Sequence, residues 1–102
     1  MAQLDIHEPT KRFDPSIRYL IILQSDALSP LRTAVVAPLR GASDMPDLGR
    51  LTPRIKVKGR IFAISVTELA SMPRNLLGPA VANAGNEREQ IISALDMLFT
   101  GV

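Results

Sequence analysis

The sequence predicts a mainly β fold closed by one C-terminal helix: a small SH3-like barrel of about five short strands. Three observations lead there. The first two-thirds of the chain alternate β-branched or aromatic stretches with turns rich in Pro, Gly, Ser and Asp. The only segment with sustained helical spacing comes last, after Asn86. So few strands cannot hide both faces of an open sheet, and curling the sheet under a crossing helix removes that problem.

Leu4 to His7 alternates apolar and polar residues as a half-buried strand does, and Pro9 ends it. Pro15 keeps the next segment in a loop. Ile17 to Gln24 reads as a central strand, and Ser25-Asp26 and Ser29-Pro30 are turn material. Thr33 to Ala37 is a short strand expected to stop at Pro38. Arg40 to Thr52 reads as an irregular excursion. Arg54 to Val66 reads as a hairpin turning at Lys58-Gly59, with Gly59 supplying positive φ. Ile55 and Val57 face one way, and Arg54, Lys56 and Lys58 the other. Past the turn, residues on both faces are apolar or small, so that strand is expected to be buried on two sides. Thr67 to Met72 extends the sheet until Pro73. Asn86 with Glu89 resembles a capping box that opens the helix. Ile91, Ala94, Leu95 and Leu98 form its buried face, Gln90, Ser93 and Asp96 fall away from it, and Gly101 stops it.

The 102 residues suit a single domain spanning 1–102. With three Phe, one Tyr and no Trp, the core has to be aliphatic. The absence of cysteine excludes a disulfide scaffold and a zinc-thiolate site. The longest strongly apolar run, Tyr19 to Leu23, is far short of the roughly 20 residues that cross a membrane, and Met1 to Pro15 has no apolar signal core. The expected protein is soluble and cytoplasmic.

No catalytic constellation is found. His7 is the only histidine, so no histidine metal cluster forms within one chain, and a lone strand histidine is ordinarily exposed or satisfied. Gly78, Gly85 and Gly101 are too scattered for a phosphate loop. Asp44 and Asp47 read as turn-forming loop residues before they read as an acid–base pair. Two features stand out. Arg50, Arg54, Lys56, Lys58 and Arg60 form a basic ridge without an intervening acid, on a chain of net charge +2. They are either the wet face of a strand or the seat of an anionic partner, nucleic acid or an acidic disordered peptide. Aromatic residues for stacking bases are not interleaved with them. The other feature is the chain end. Ile92, Asp96 and Phe99 recur along one flank of the helix, and Phe99 and Val102 are large apolar groups where fraying favours polar ones. They either tuck into a core or dimer interface, or form an apolar tip that docks into another protein.

Several short runs, in this order, resemble the CcdB toxins: Gln24-Ser25-Asp26, Val36-Ala37-Pro38-Leu39, Leu51-Thr52-Pro53, Ala70-Ser71-Met72-Pro73, Leu77-Gly78 and Val81-Ala82. The ending Ala94 to Val102 is similar to that family's C-terminal helix and tail. The resemblance implies a barrel related to the MazF and PemK toxins and a twofold homodimer. It implies the toxin half of a toxin–antitoxin pair, an inhibitor and not an enzyme. Its C-terminal tip would enter the DNA gyrase A-subunit dimer and trap cleaved DNA. It also implies a cognate antitoxin with an acidic, disordered C-terminal segment, through which alone operator DNA would be contacted. Carried onto this chain, the gyrase-binding residues are Asp96, Phe99, Thr100, Gly101 and Val102. The antitoxin-binding candidates are Arg54, Lys56, Lys58 and Ile92, and no metal or cofactor is implied. Two positions depart from the family pattern: Thr100 stands where a tryptophan is usual, and Asp96 where asparagine is. The alternatives are a MazF-like endoribonuclease using Arg54 and Arg60, and a non-toxic relative that only binds antitoxin.

Overall fold

The computed structural model describes residues 2–11 and 14–101. Seven strands and one α-helix follow one another in these residues: β1 (Asp5–Pro9), β2 (Tyr19–Ile22), β3 (Thr33–Gly41), β4 (Arg54–Val57), β5 (Arg60–Ile64), β6 (Ala70–Pro73), β7 (Leu77–Asn83) and α1 (Arg88–Thr100). All pairings are antiparallel, in the order β4-β5-β3-β2-β1-β7, with β6 also on β3. The expected fold class, mainly β with a C-terminal helix, is the one observed.

The sheet curls because β3 divides one of its edges between two partners. Thr33 to Val36 pair with β6, and Leu39 to Gly41 pair with β5. On its other edge β3 pairs with β2 from Val36 to Leu39. The strand therefore runs through Pro38, where the sequence suggested a stop. The register explains why. The Leu23 amide donates to Val35 O at 2.9 Å, so alternate positions Val35, Ala37 and Leu39 point their backbone groups at β2. Pro38 points the other way, at the gap where β6 has ended and β5 has not begun. Its missing N–H costs no ladder bond there, and its carbonyl accepts from the Ser65 amide at 3.0 Å.

The strand count exceeds the expected five mainly because Leu77–Asn83 reads weakly: Gly78, Pro79 and the small residues Ala80, Val81 and Ala82 interrupt any pattern. Gly78 is there for a close approach, since a Cβ at this position would lie 2.6 Å from Glu8 O on β1. The hairpin is as expected, but Lys58 (φ 50°) shares the left-handed conformation with Gly59 (φ 81°), as a two-residue turn of the twist-matched kind requires.

One core fills the inside of the curl. Ile6, Ile21, Leu39, Ile64 and Val66 meet Ile91 and Ala94 of α1 there, and Tyr19 sets its ring edge-on to Phe62 with centroids 5.4 Å apart. Leu95 and Leu98 pack at its margin, which completes the predicted helix face. A smaller cluster on the opposite sheet face joins Leu20, Ile22, Ala34, Val36 and Leu77. As expected, β5 is buried on both faces, except that Ile61 is 54% exposed.

The helix begins later than the capping-box reading placed it. A 3-10 turn spans Gly85–Glu87, Glu87 stands at the N-cap, and no side chain caps α1. The reciprocal Asn86–Glu89 pair fails because the 3-10 turn carries Asn86 out of the N-cap position. Asn83 instead accepts from the Gly85 amide at 2.8 Å and turns the chain into the helix. Gly101 closes α1 with φ 75°, its amide donating to Met97 O at 3.1 Å. With so short a helix held by its packed face, truncating Ile91, fully buried, to alanine is expected to cost about 3 kcal/mol in urea denaturation. A loss below about 1 kcal/mol would show that the helix is not docked through this residue.

Candidate functional site

The end of α1 is the most unusual surface. One flank is fixed to the core, yet Phe99, a turn from the end, is 69% exposed. Asp96 is exposed beside it. Thr100 is also exposed but turns its hydroxyl back onto the helix, donating to Asp96 O at 2.6 Å. Gly101 is exposed in the left-handed conformation, and Val102 lies outside the described residues. The described part of the expected tip is thus a single apolar ring flanked by a carboxylate and by a threonine with its donor already used. Of the two readings open for Phe99, packing inward within the chain is not the one observed.

The basic ridge does not act as a unit. Arg50 lies in the 3-10 turn Gly49–Leu51 and reaches α1, donating from Nε to Ser93 Oγ at 2.7 Å and from Nη2 to Ser93 O at 3.1 Å. Ser93 therefore does not fall away to solvent but ties the excursion to the helix. Arg54 is half-buried and donates from Nη1 to Ala42 O at 2.9 Å. Arg60 lies over the Phe62 ring, its guanidinium carbon 5.7 Å from the centroid. Lys56 and Lys58 remain as exposed ammonium groups on the outer side of the hairpin. Ile92, the fourth antitoxin-binding candidate, lies elsewhere. It lines a groove with Arg50, Arg88, Glu89, Ser93 and Asp96, to which the hairpin lysines do not contribute. The structure thus joins Ile92 to Asp96 and separates both from Arg54, Lys56 and Lys58.

Two features were invisible in the sequence. A mostly apolar cavity of about 210 Å³ opens over the second sheet face between Pro9, Ile17, Leu20, Val36 and Met72. Its rim is an ion-pair network. Arg40 grips Glu68 with two parallel bonds of 3.0 and 2.8 Å, donates to Ser16 Oγ at 2.7 Å and stands 3.6 Å from Asp14. Ser65 adds a 2.7 Å hydrogen bond to Glu68. Arg40 is 24 to 28 residues from each of its partners, so no local spacing announces the network.

His7 is buried, not exposed. Its Nδ1 is 2.8 Å from Gly78 O, which makes that nitrogen the donor, and its Nε2 has no partner among the described residues. Its ring joins β1 to β7. Asp47 accepts from the Gly49 amide at 2.9 Å and the Asp44 amide donates to Gly41 O, turn work as expected. Among the described residues, no three His, Asp or Glu side chains gather as a metal site would require. No helix among them is long and apolar enough to cross a membrane.

A curled antiparallel sheet crossed by one C-terminal helix, with its salient groups at the helix end and on one hairpin, defines a small mainly β fold. The same fold is seen in the Mycobacterium tuberculosis toxin MazF-mt6, at 17% identity and a TM-score of 0.76, over 93% of this chain and 95% of that one. The family model of the CcdB protein matches residues 3–101. The chain belongs to the CcdB family.

The rim network makes stability depend on acid. Arg40, gripping it, holds the Glu68 carboxyl below its ordinary value, with help from Ser65; hydrogen bonds from Ser16, then the Arg40 charge, hold Asp14 down. Carboxyls depressed in the folded state add stability that is complete above their unfolded values and lost as pH falls through the folded ones. Urea midpoints are therefore expected to fall as pH drops below about 4.5, with a shallower fall in the Glu68→Gln variant. Parallel pH profiles would exclude the network as the cause.

Proposed function

We propose that this protein is the toxin of a type II toxin–antitoxin pair and poisons DNA gyrase through the end of α1. The observation that carries the reading is Phe99: a large apolar ring, mostly in water, on the flank of a helix whose neighbouring face is anchored in the core. Exposed aromatic anchors on rigid supports are where interface energy concentrates. With Asp96, Thr100, Gly101 and Val102, Phe99 enters the gyrase A-subunit dimer and traps the cleaved-DNA intermediate. The protein inhibits an enzyme and is not one itself. It acts in the cytoplasm as a twofold homodimer, which presents two such ends.

A cognate antitoxin neutralises it. The antitoxin's acidic, disordered C-terminal segment contacts Arg54, Lys56 and Lys58 on the hairpin and Ile92 on the helix, and operator DNA is contacted through the antitoxin. Family membership and the exposed lysines support this reading.

A cleavage assay tests the gyrase reading. Purified protein, gyrase, ATP and supercoiled plasmid are incubated, then treated with detergent and protease. Linear DNA rising with dose is expected. Thr100→Trp adds an indole beside Phe99, and the dose required is expected to fall by about ten- to a hundredfold. Val102→Asp is expected to abolish the linear product with an unchanged melting temperature; a melt lowered by many degrees would make Val102 a core residue instead. No linear DNA from either the natural chain or Thr100→Trp would exclude this gyrase as the target. Cleavage of a defined RNA in gyrase-free buffer would establish an endoribonuclease.

A further inference from the structure

The β4–β5 hairpin ends the sheet, and its outer edge is built to accept one more strand. The two-residue turn fixes which backbone groups face outward. Val57 and Arg60 flank Lys58-Gly59 as a hydrogen-bonded pair, and so, two residues on, do Ile55 and Phe62. The next pair agrees, since the Ile64 amide donates to Pro53 O at 2.9 Å. Arg54 and Lys56 occupy the alternate positions, so their amides and carbonyls point away from β5. Among the described residues no strand lies on that side, because β4 is terminal in the sheet order.

The side chains beside this edge select the occupant. Ile55 and Val57 are buried in the core and hold β4 straight and in register. Lys56 and Lys58 are exposed, and no acid occurs between Asp47 and Glu68. Ile61 pairs with Lys56 and is 54% exposed, an apolar step next to the ammonium groups. Charges on an edge strand repel a second copy of the same strand. They equally attract a strand of opposite sign. Nucleic acid fits less well: it leaves the backbone donors and acceptors of Arg54 and Lys56 unmatched, and the hairpin's own aromatic ring, Phe62, is buried.

The geometry points to strand addition: an extended, acidic peptide segment pairs with β4 through the Arg54 and Lys56 backbone and sets its carboxylates against Lys56 and Lys58. This rests on the antitoxin reading for the identity of the segment, though its geometry does not depend on gyrase. Backbone pairing then supplies the affinity and the two ammonium groups the preference for acidic side chains, the same division of roles as in other strand-adding complexes.

The test uses the full chain, labelled with 15N, and a blocked octapeptide of alternating Glu and Val as probe. Binding is expected to shift and protect the Arg54 and Lys56 amides most. In an added strand only every second residue turns its N–H toward β4. Of two further peptides, N-methylated at all valines or at all glutamates, one is therefore expected to bind at least tenfold more weakly and the other about as well as the parent. Lys56→Glu/Lys58→Glu, checked by its melt, is expected to weaken binding at least tenfold. Absence of binding, equal binding of both methylated peptides, or protection elsewhere would overturn the inference. So would an acidic-peptide affinity below that of a single-stranded oligonucleotide at the same salt concentration. Because none of these readings uses gyrase, a negative cleavage assay leaves them standing, and their failure leaves the cleavage result standing.

Discussion

Everything in this molecule hangs from β3 and the division of one of its edges between β5 and β6. A strand that pairs with two partners in succession on the same side cannot lie flat, because each partner twists away in its own direction. The break between them falls at Pro38, the one residue of β3 that has no amide to offer. Curling follows, and curling is what places Ile21, Leu39 and Ile64 on the inside of a concave surface. That surface is the seat of α1. Without it the helix would be a short segment of 13 residues with no side-chain cap at its N-terminus and little reason to persist in water.

The helix in turn explains why its far end stays exposed. Its first half is held from three directions: by the core through Ile91 and Ala94, by the 3-10 turn Gly85–Glu87 before it, and by Arg50 through Ser93. The last turn carries none of these ties in the described residues beyond the marginal packing of Leu98, and its backbone is closed internally by Gly101 and the Thr100 hydroxyl. An apolar ring on such a support loses little conformational freedom when a partner takes it up, which is the condition for an efficient anchor. Rigidity at the root and exposure at the tip are thus one arrangement.

What could be read from the residues followed from local periodicity. The hairpin, the central strand around Ile21, the doubly buried β5 and the helix face all declare themselves within a few positions of chain. Failures occurred where a distant partner overrode a local rule. Pro38 reads as a strand end because its missing amide is a local fact, while the gap it faces depends on strands 22 to 35 residues away. β7 carries little local signal because its small residues suit close contact with β1, not alternation. The capping box was plausible from Asn86 and Glu89 alone, but the entry to the helix is set by Asn83 at the end of a strand. In the candidate site, the tip residues were legible as apolar groups out of place, although which way Phe99 faced was not. The Arg40–Glu68 network and the cavity beneath it carry no sequence signature, being assembled from three separate elements.

The fate of the basic ridge shows how the structure sorts residues that look equivalent in one dimension. Three arginines use planar guanidinium groups to hold the protein together: Arg50 ties a turn to a helix, Arg54 reaches a carbonyl across β5, and Arg60 covers an aromatic face. The fork geometry of arginine suits such directed contacts, and a lysine ammonium does not. The two lysines are left where a mobile point charge is useful and a fixed contact is absent. That division also narrows the proposed binding surface more than charge density does. A ridge of five cations would attract any polyanion along its length, whereas two lysines beside an unpaired strand edge favour a ligand with backbone groups to match. The step from charge to partner is therefore made by the edge of β4, and the arginines enter it only by keeping that edge in place.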